Sequence, residues 1–222
     1  MENDSNKTVL KKAVVWKDLY FYRKSDTIYQ LTIEFCRRFL PPYGDRTVDQ
    51  MVQAARSGKQ NIVEGSEDGQ TSSEMEIKLL NVARGSLQEF RSDYQDYLNA
   101  HHLSFWAVDS DRQRRLRHYC HSHNDYEAYA PLVSKMNDEE MVNLLLTLLH
   151  QTDKMMCAYI KKLGDTFVKE GDIKERMYAA RTGYRQQQDA YLHSLEAENK
   201  RLKAENAALK QRLEELGKPR RS

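Results

Sequence analysis

Four side chains of metal-ligand type crowd together at His118, Cys120, His121 and His123. Imidazole and thiolate are zinc ligands, and a structural zinc site takes four of them, normally as spaced pairs. No second pair stands at such a spacing, so the group reads as the polar surface of a helix rather than a metal centre. Carboxylates gather at Glu64, Asp68, Glu74 and Glu76. Neighbouring carboxylates can hold a metal or share acid–base work, yet Glu74 also suits a helix cap and the others an exposed turn. His150, among Leu148, Leu149 and Thr152, fits a satisfied core or interface histidine better than a catalyst. There is no Gly-rich phosphate loop, nucleophile elbow or metalloprotease helix motif. The expectation is a protein that is not an enzyme and has neither metal nor cofactor.

Cations offer a second kind of chemistry. Lys11, Lys12, Lys17, Arg23 and Lys24 surround Trp16, Tyr20, Phe21 and Tyr22, with Asp18 the single acid between positions 11 and 24. Arg112, Arg114, Arg115 and Arg117 form another cluster, followed by His118. Cations interleaved with aromatic faces can hold phosphates and stack bases, which makes both clusters candidates for RNA or DNA. The competing account packs the aromatics on the body of the protein and leaves the cations solvated.

A third pattern lies near the C-terminus. Leu195, Leu202, Leu209 and Leu216 repeat every seven residues, with Leu192, Asn199, Asn206 and Leu213 three residues before each. Leucine at d with Asn at two of four a positions is the pattern of a parallel two-stranded coiled coil, in which each Asn pairs with its symmetry mate. Glu198 would face Lys203 of the partner helix and Glu205 would face Lys210, attractions worth a few tenths of a kcal/mol each when exposed. Arg185 stands ten residues before Leu195, as in basic-region zipper proteins. Residues 176–191 carry only three basic side chains, too few for DNA binding of that kind, which rests on dense phosphate contact. Met177 also replaces the base-reading Asn.

These candidates need elements to position them, and the spacing supplies helices. Ile28, Leu31, Phe35 and Phe39 share a face, with Thr32 and Cys36 beside them, predicting a helix from about Ser25 to Phe39 that Pro41-Pro42 ends. Val48, Met51, Val52, Ala55 and Ile62 predict a second, opened by a Thr47/Gln50 capping box and closed at Gly65. A third should start after Thr71 or Ser72, with Thr71 and Glu74 as the box. Leu79, Ala83, Ser86, Leu87, Phe90, Tyr94 and Tyr97 carry it to about Ala100. Gly85, inside it, costs roughly 1 kcal/mol relative to Ala, and suits close approach of a helix of this chain or of another subunit. Residues 105–130 read as a short helix within a connection. Asn137 and Glu140 cap a fourth long helix, with Met141, Leu144, Leu145, Leu148, Leu149, Met155, Met156, Tyr159, Ile160 and Leu163 on its apolar side and its end near Gly171. Beyond Asp172 and Glu175 the pattern is helical until Gly217.

The expected organisation is all-α. It has a basic and aromatic extension (1–24), a four-helix bundle (25–171), a further helix (172–191), the coiled coil (192–216) and a basic tail (217–222). Composition agrees, because 222 residues with only 9 Gly and 4 Pro favour long helices. With 35 Lys and Arg against 33 Asp and Glu, the net charge of +2 excludes a polycationic tail as the whole protein. No apolar run spans a membrane, and the N-terminus lacks the apolar stretch of a secretory signal. Cys36, Cys120 and Cys157 leave one unpaired and form no metal-type pair, which suits reduced thiols in the cytoplasm.

Residues 46–94 carry Asn61-Ile62-Val63-Glu64-Gly65 and Ala83-Arg84-Gly85-Ser86-Leu87-Gln88-Glu89. Here the chain resembles the bacterial four-helix-bundle proteins of the ribosomal-RNA intervening-sequence type, a family that includes Avd, the accessory protein of diversity-generating retroelements. From about Tyr126 through His150 to Glu170-Gly171-Asp172-Ile173-Lys174-Glu175-Arg176-Met177 it looks like the suffix domain of one branch. The likeness covers about residues 17–185. It implies a four-helix protomer that assembles into a ring, typically a pentamer. For Avd-like members it also implies binding to nucleic acid and to a reverse transcriptase through a basic surface. Residues 1–185 hold 27 basic and 27 acidic side chains, a neutral body that departs from that pattern. Fold transfers more readily than function. The leading expectation is a homo-oligomeric scaffold or adaptor, pentameric by resemblance or dimeric through the zipper. The alternative is a nucleic-acid-binding accessory protein.

Overall fold

The computed structural model describes residues 9–11, 14–41 and 46–216, with side-chain surroundings up to residue 213. Among the described residues every regular element is helical. A single 3-10 turn at Trp16–Asp18 precedes α1 (Tyr20–Phe39), α2 (Arg46–Asp68), α3 (Ser73–Ala100), α4 (Asp111–Ser122), α5 (Tyr126–Val133), α6 (Asp138–Glu170) and α7 (Ile173–Leu216). Leu10–Ile173 form one compact unit, and α7 from Lys174 onward belongs to another. Lys12, the side chain of Leu216 and the tail from residue 217 lie outside the described residues.

Within Leu10–Ile173, α1 and α3 each pack against both α2 and α6. The core between them is aliphatic and aromatic. Phe35 meets Tyr94 and Tyr97 edge-on, at centroid distances of 5.2 and 4.9 Å. The buried Tyr94 hydroxyl donates to Thr32 Oγ1 at 3.1 Å, so burying this phenol strands no donor.

α1 begins five residues before the expected Ser25. Phe21 and Lys24 are buried and continue the stripe of Ile28, Leu31 and Phe35, but a lysine in that stripe hides the periodicity. α2 opens at Arg46, placing Thr47 inside the first turn, and it runs through Gly65 to Asp68. Gly65 is not a C-terminal cap. A Cβ there would stand 3.2 Å from Leu79 Cβ, so the missing side chain serves close approach of α2 and α3. Gly58 does the same beneath Leu87. At Gly85, expected to allow close approach of a helix of this chain or of another subunit, an added Cβ would meet nothing of this chain within 4 Å. α3 is capped by Ser72, whose hydroxyl accepts from Met75 N at 3.2 Å. The Thr71 hydroxyl instead donates to Asp68 O.

The connection after α3 holds two helices rather than one, and it covers α6. Residues 141–149 of α6 are all buried, so this half of the helix has no solvent face. On the added side Asn143 accepts from Trp106 N at 2.9 Å and donates to Ser104 O at 2.9 Å. Gln113 of α4 donates to Thr147 Oγ1 at 3.0 Å. The helix starts at a complete Asn137/Glu140 capping box and ends at Gly171, whose φ of 69° lies where glycine is favoured.

Candidate functional sites

The heptad seam lies on α7. Leu192, Leu195, Leu202, Leu209 and Leu213 are all exposed, Leu213 by 69%, and Asn199 is exposed with them. Asn206 donates to Leu202 O within its own helix at 3.1 Å. Of the flanking charges, Glu198 reaches Arg201 at 4.0 Å, while Lys203, Glu205 and Lys210 form no ion pair among the described residues. The result is an apolar stripe with unspent charges beside it.

The first basic cluster is dispersed by the fold. Lys24 leaves the candidate surface. It is 2% exposed, and its ammonium donates to Cys120 O and, at 2.9 Å, to His123 O, closing the last turn of α4. Burial pulls its pKa down to about 8. Arg23 forms a two-pronged pair with Asp125, with Nε at 2.6 Å from Oδ1. That hydrogen-bonded pair holds the Asp125 carboxyl below its ordinary range. Lys11 donates to Ser73 Oγ, beside the N-terminus of α3. Lys17 remains exposed, its ammonium 5.2 Å from the Trp16 ring centre.

The arginine cluster divides in two. Arg112 works as a strut: it lies 4.0 Å over the Trp106 ring and pairs with Glu140 at 2.6 Å. Trp106 Nε1 in turn donates to Glu139, whose carboxyl is held below its ordinary range by that bond and by Ser104 N–H. Arg114 pairs with Asp111 along the same helix. Arg117 donates to Val108 O at 2.8 Å. Arg115 makes no ion pair among the described residues. With Arg114, His118, Tyr119, Ser122 and His123 it lines an open crease along α4.

The remaining candidates separate. Cys120 is in the core, its thiol pushed up to about 11 by burial, whereas His118 and His121 are exposed. The four therefore do not form one polar surface. No group of three or more His, Cys, Asp or Glu side chains suited to a metal occurs among the described residues. Glu64, Asp68 and Glu74 are exposed, but Glu76 is 3% exposed and accepts from Tyr159 OH at 3.1 Å.

His150 is on the surface rather than in the core, because α6 turns that position outward just past its fully buried half. There it lies within electrostatic reach of cations from three helices. Its pKa is lowered by partial desolvation, then by Lys154 on α6, Arg91 on α3 and Arg117 on α4, with Asp153 opposing. These residues are far apart in sequence and share no local pattern, so only the packing of α3 and α4 on α6 gathers them.

No protein-family model, curated protein or solved structure matches the chain. Among the described residues no helix is long and apolar enough to cross a membrane.

Proposed function

We propose that this protein is a non-enzymatic, homo-oligomeric scaffold or adaptor. Its body is a four-helix bundle of α1, α2, α3 and α6, akin to the Avd-like family, and its α7 pairs as a parallel two-stranded coiled coil. The observation that carries the reading is the row of exposed leucines on α7, interrupted at two a positions by Asn. Exposed leucine at every seventh position is unfavourable in water and is relieved by a second identical stripe. Unspent Lys203, Glu205 and Lys210 then find partners in a parallel register, while the two Asn fix that register at a cost in stability. So short a coil works best when the body raises its local concentration. In a ring-forming body the coils join two rings or recruit another protein. Light scattering after size exclusion tests the reading on the full chain and on Leu202→Glu/Leu209→Glu. The variant should have half the mass, and an unchanged mass would sink the coil.

RNA or DNA binding is the second reading, favoured by the crease along α4, where Arg115, without an ion pair among the described residues, stands beside Tyr119. Replacing Arg115 and Arg117 should then abolish salt-dependent retention of RNA, whereas Arg112→Ala, the strut, should change it little. Salt dependence follows from counterion release at phosphates.

A further inference from the structure

Two surfaces of opposite sign stand on the unit Leu10–Ile173. One is the convergence around His150. Arg84 of α3 binds Asp153 of α6 at 2.8 Å, and Gln151 of α6 donates to Arg117 O of α4 at 3.0 Å. These two contacts bring α3 and α4 against α6 beside His150, and Arg91, Arg117 and Lys154 lie within electrostatic reach of its ring. Asp153, the acid that acts on His150, is paired with Arg84. Arg91, Lys154 and His150 are exposed, and none has a hydrogen bond or ion pair among the described residues. Like charges gathered without a counter-charge repel each other, and an external anionic surface removes that cost.

The other surface is a ridge on α3. Glu89, Asp93 and Asp96 recur at helical spacing, Glu89 and Asp96 exposed and Asp93 half-buried. The Asp93 carboxyl is pushed up by burial and then by Asp96 and Glu89. None of the three has a cationic partner among the described residues. At 100° per residue the ridge lies roughly 170° around α3 from Arg91. Ser86 of α3 meets Ser57 of α2 at 3.3 Å on the ridge side, while Arg84 and Arg91 line the α6 side. Gly85, with open space around it, and the 47% exposed Val82 extend the ridge toward the N-terminus of α3.

We infer that the basic convergence of one copy is docked by the acidic α3 ridge of a second copy, head to tail. This rests on the homo-oligomeric reading above and adds an interface separate from the coil. The occupant is a second copy because the chain carries both halves of a charge-complementary pair on nearly opposite sides of one helix. Patches so placed cannot satisfy each other within one chain, and a head-to-tail contact repeats until rotation closes it. Opposed patches also exclude wrong registers, since like-sign juxtaposition is repelled. The open Gly85 lets the incoming surface approach the α3 backbone closely. Screening at a Debye length near 10 Å in about 0.1 M salt makes this contact more salt-sensitive than the coil.

The test uses the full chain carrying Leu202→Glu/Leu209→Glu, so that the coil does not contribute. At low salt its mass by light scattering should exceed that of a single chain. Glu89→Lys/Asp93→Lys/Asp96→Lys, or Arg91→Glu/Lys154→Glu, should each reduce it to a single chain, with the dissociation constant raised tenfold or more. A chain carrying all five reversals should reassociate, as should an equimolar mixture of the two reversed chains, with helix content checked by circular dichroism. A coil variant already of single-chain mass overturns the inference and leaves the coil standing. Reversals that leave its mass unchanged overturn it too, and loss of RNA retention at unchanged mass assigns the basic patch to nucleic acid. If the coil variant keeps the wild-type mass and the reversals still dissociate it, the coil fails and this interface stands.

Discussion

The Lys24 ammonium donates to the main-chain carbonyl of Cys120, 96 residues further along the chain, and so ties α1 to the last turn of α4. Helix ends leave carbonyls without intrahelical donors, and a buried end needs them satisfied. Lys24 does this for Cys120 and His123, while Thr27 donates to Asn124 O at 2.8 Å.

Lys24 also gives a pH signature. Its pKa is about 8 in the folded chain against 10.5 ordinarily, because burial penalises the charged form. Between those values the unfolded chain binds more protons, so stability should rise with pH, by up to about 1.4 kcal/mol per unit. Tyrosines whose pKa is raised by burial, such as Tyr94, act in the opposite direction near their ordinary value of 10.0. The Cys120 thiol, pushed up by burial to about 11 from 9.0, acts in that opposite direction too, so urea melts between pH 8 and 9 should give the wild type a more positive pH slope than Lys24→Met. At pH 7 that variant should be less stable by about 2 kcal/mol, through its orphaned carbonyls. Equal pH slopes in the two proteins would contradict the assignment.

The same residue shows what the sequence hid. α6 was legible because Asn137, Glu140 and Gly171 are local signals, and the third helix because aromatic and aliphatic positions repeat through Tyr97. Lys24 breaks the stripe of α1, and a lysine is read as surface until a distant carbonyl gives it a partner. Asn143 and Thr147 fall outside the apolar side predicted for α6, and their partners Ser104, Trp106 and Gln113 come from a polar connection with weak apolar periodicity. The α7 leucines were visible as a repeat. The cations around His150 were not, because three helices must pack before they meet.

Glu76 is a buried carboxyl held by one hydroxyl. Burial raises its pKa, against the Tyr159 hydrogen bond and then Lys11. The folded chain therefore binds the proton more tightly than the unfolded one, and stability should fall as pH climbs from 4.5 through the raised value. Glu76→Gln keeps an acceptor for Tyr159 and removes the buried charge. It should be about 1 kcal/mol more stable than wild type at pH 7, with the difference vanishing near pH 4. Tyr159→Phe takes away the donor and should cost about 1–2 kcal/mol at pH 7. Thermal melts across this range check both variants, and a destabilised Glu76→Gln at pH 7 would refute the account.

Gly58 and Gly85 should respond oppositely to the same substitution. A Cβ at Gly58 would lie 2.8 Å from Leu87 Cδ2 and 2.9 Å from Cγ, while one at Gly85 meets nothing within 4 Å. Leu87 is 2% exposed, so it has little room to move. Gly58→Ala should destabilise by about 1–2 kcal/mol, overpacking outweighing the helical preference for Ala. Gly85→Ala should add up to about 1 kcal/mol to the stability of the single chain, since nothing in that chain meets the added Cβ and backbone entropy is what changes. Denaturant midpoints of the two variants decide the matter. A stabilised Gly58→Ala would mean that α2 and α3 are not in close contact there.

Asn199 and Asn206 set the last expectation. If α7 pairs in parallel, each Asn sits across from itself and trades stability for register. Asn199→Val/Asn206→Val replaces both with residues that suit an a position of a two-stranded seam. The thermal midpoint of coil dissociation should therefore rise, measured on the full chain by circular dichroism at several protein concentrations. Mass homogeneity should fall at the same time, because the polar layers that penalise shifted or antiparallel pairings are gone. Reversing Lys203 and Lys210 to Glu should act differently, weakening association at low salt and little at high salt, as exposed pairs do. A double Val variant with unchanged midpoint and mass would show that the two Asn face solvent in the assembled protein, and the leucine stripe would then need another partner.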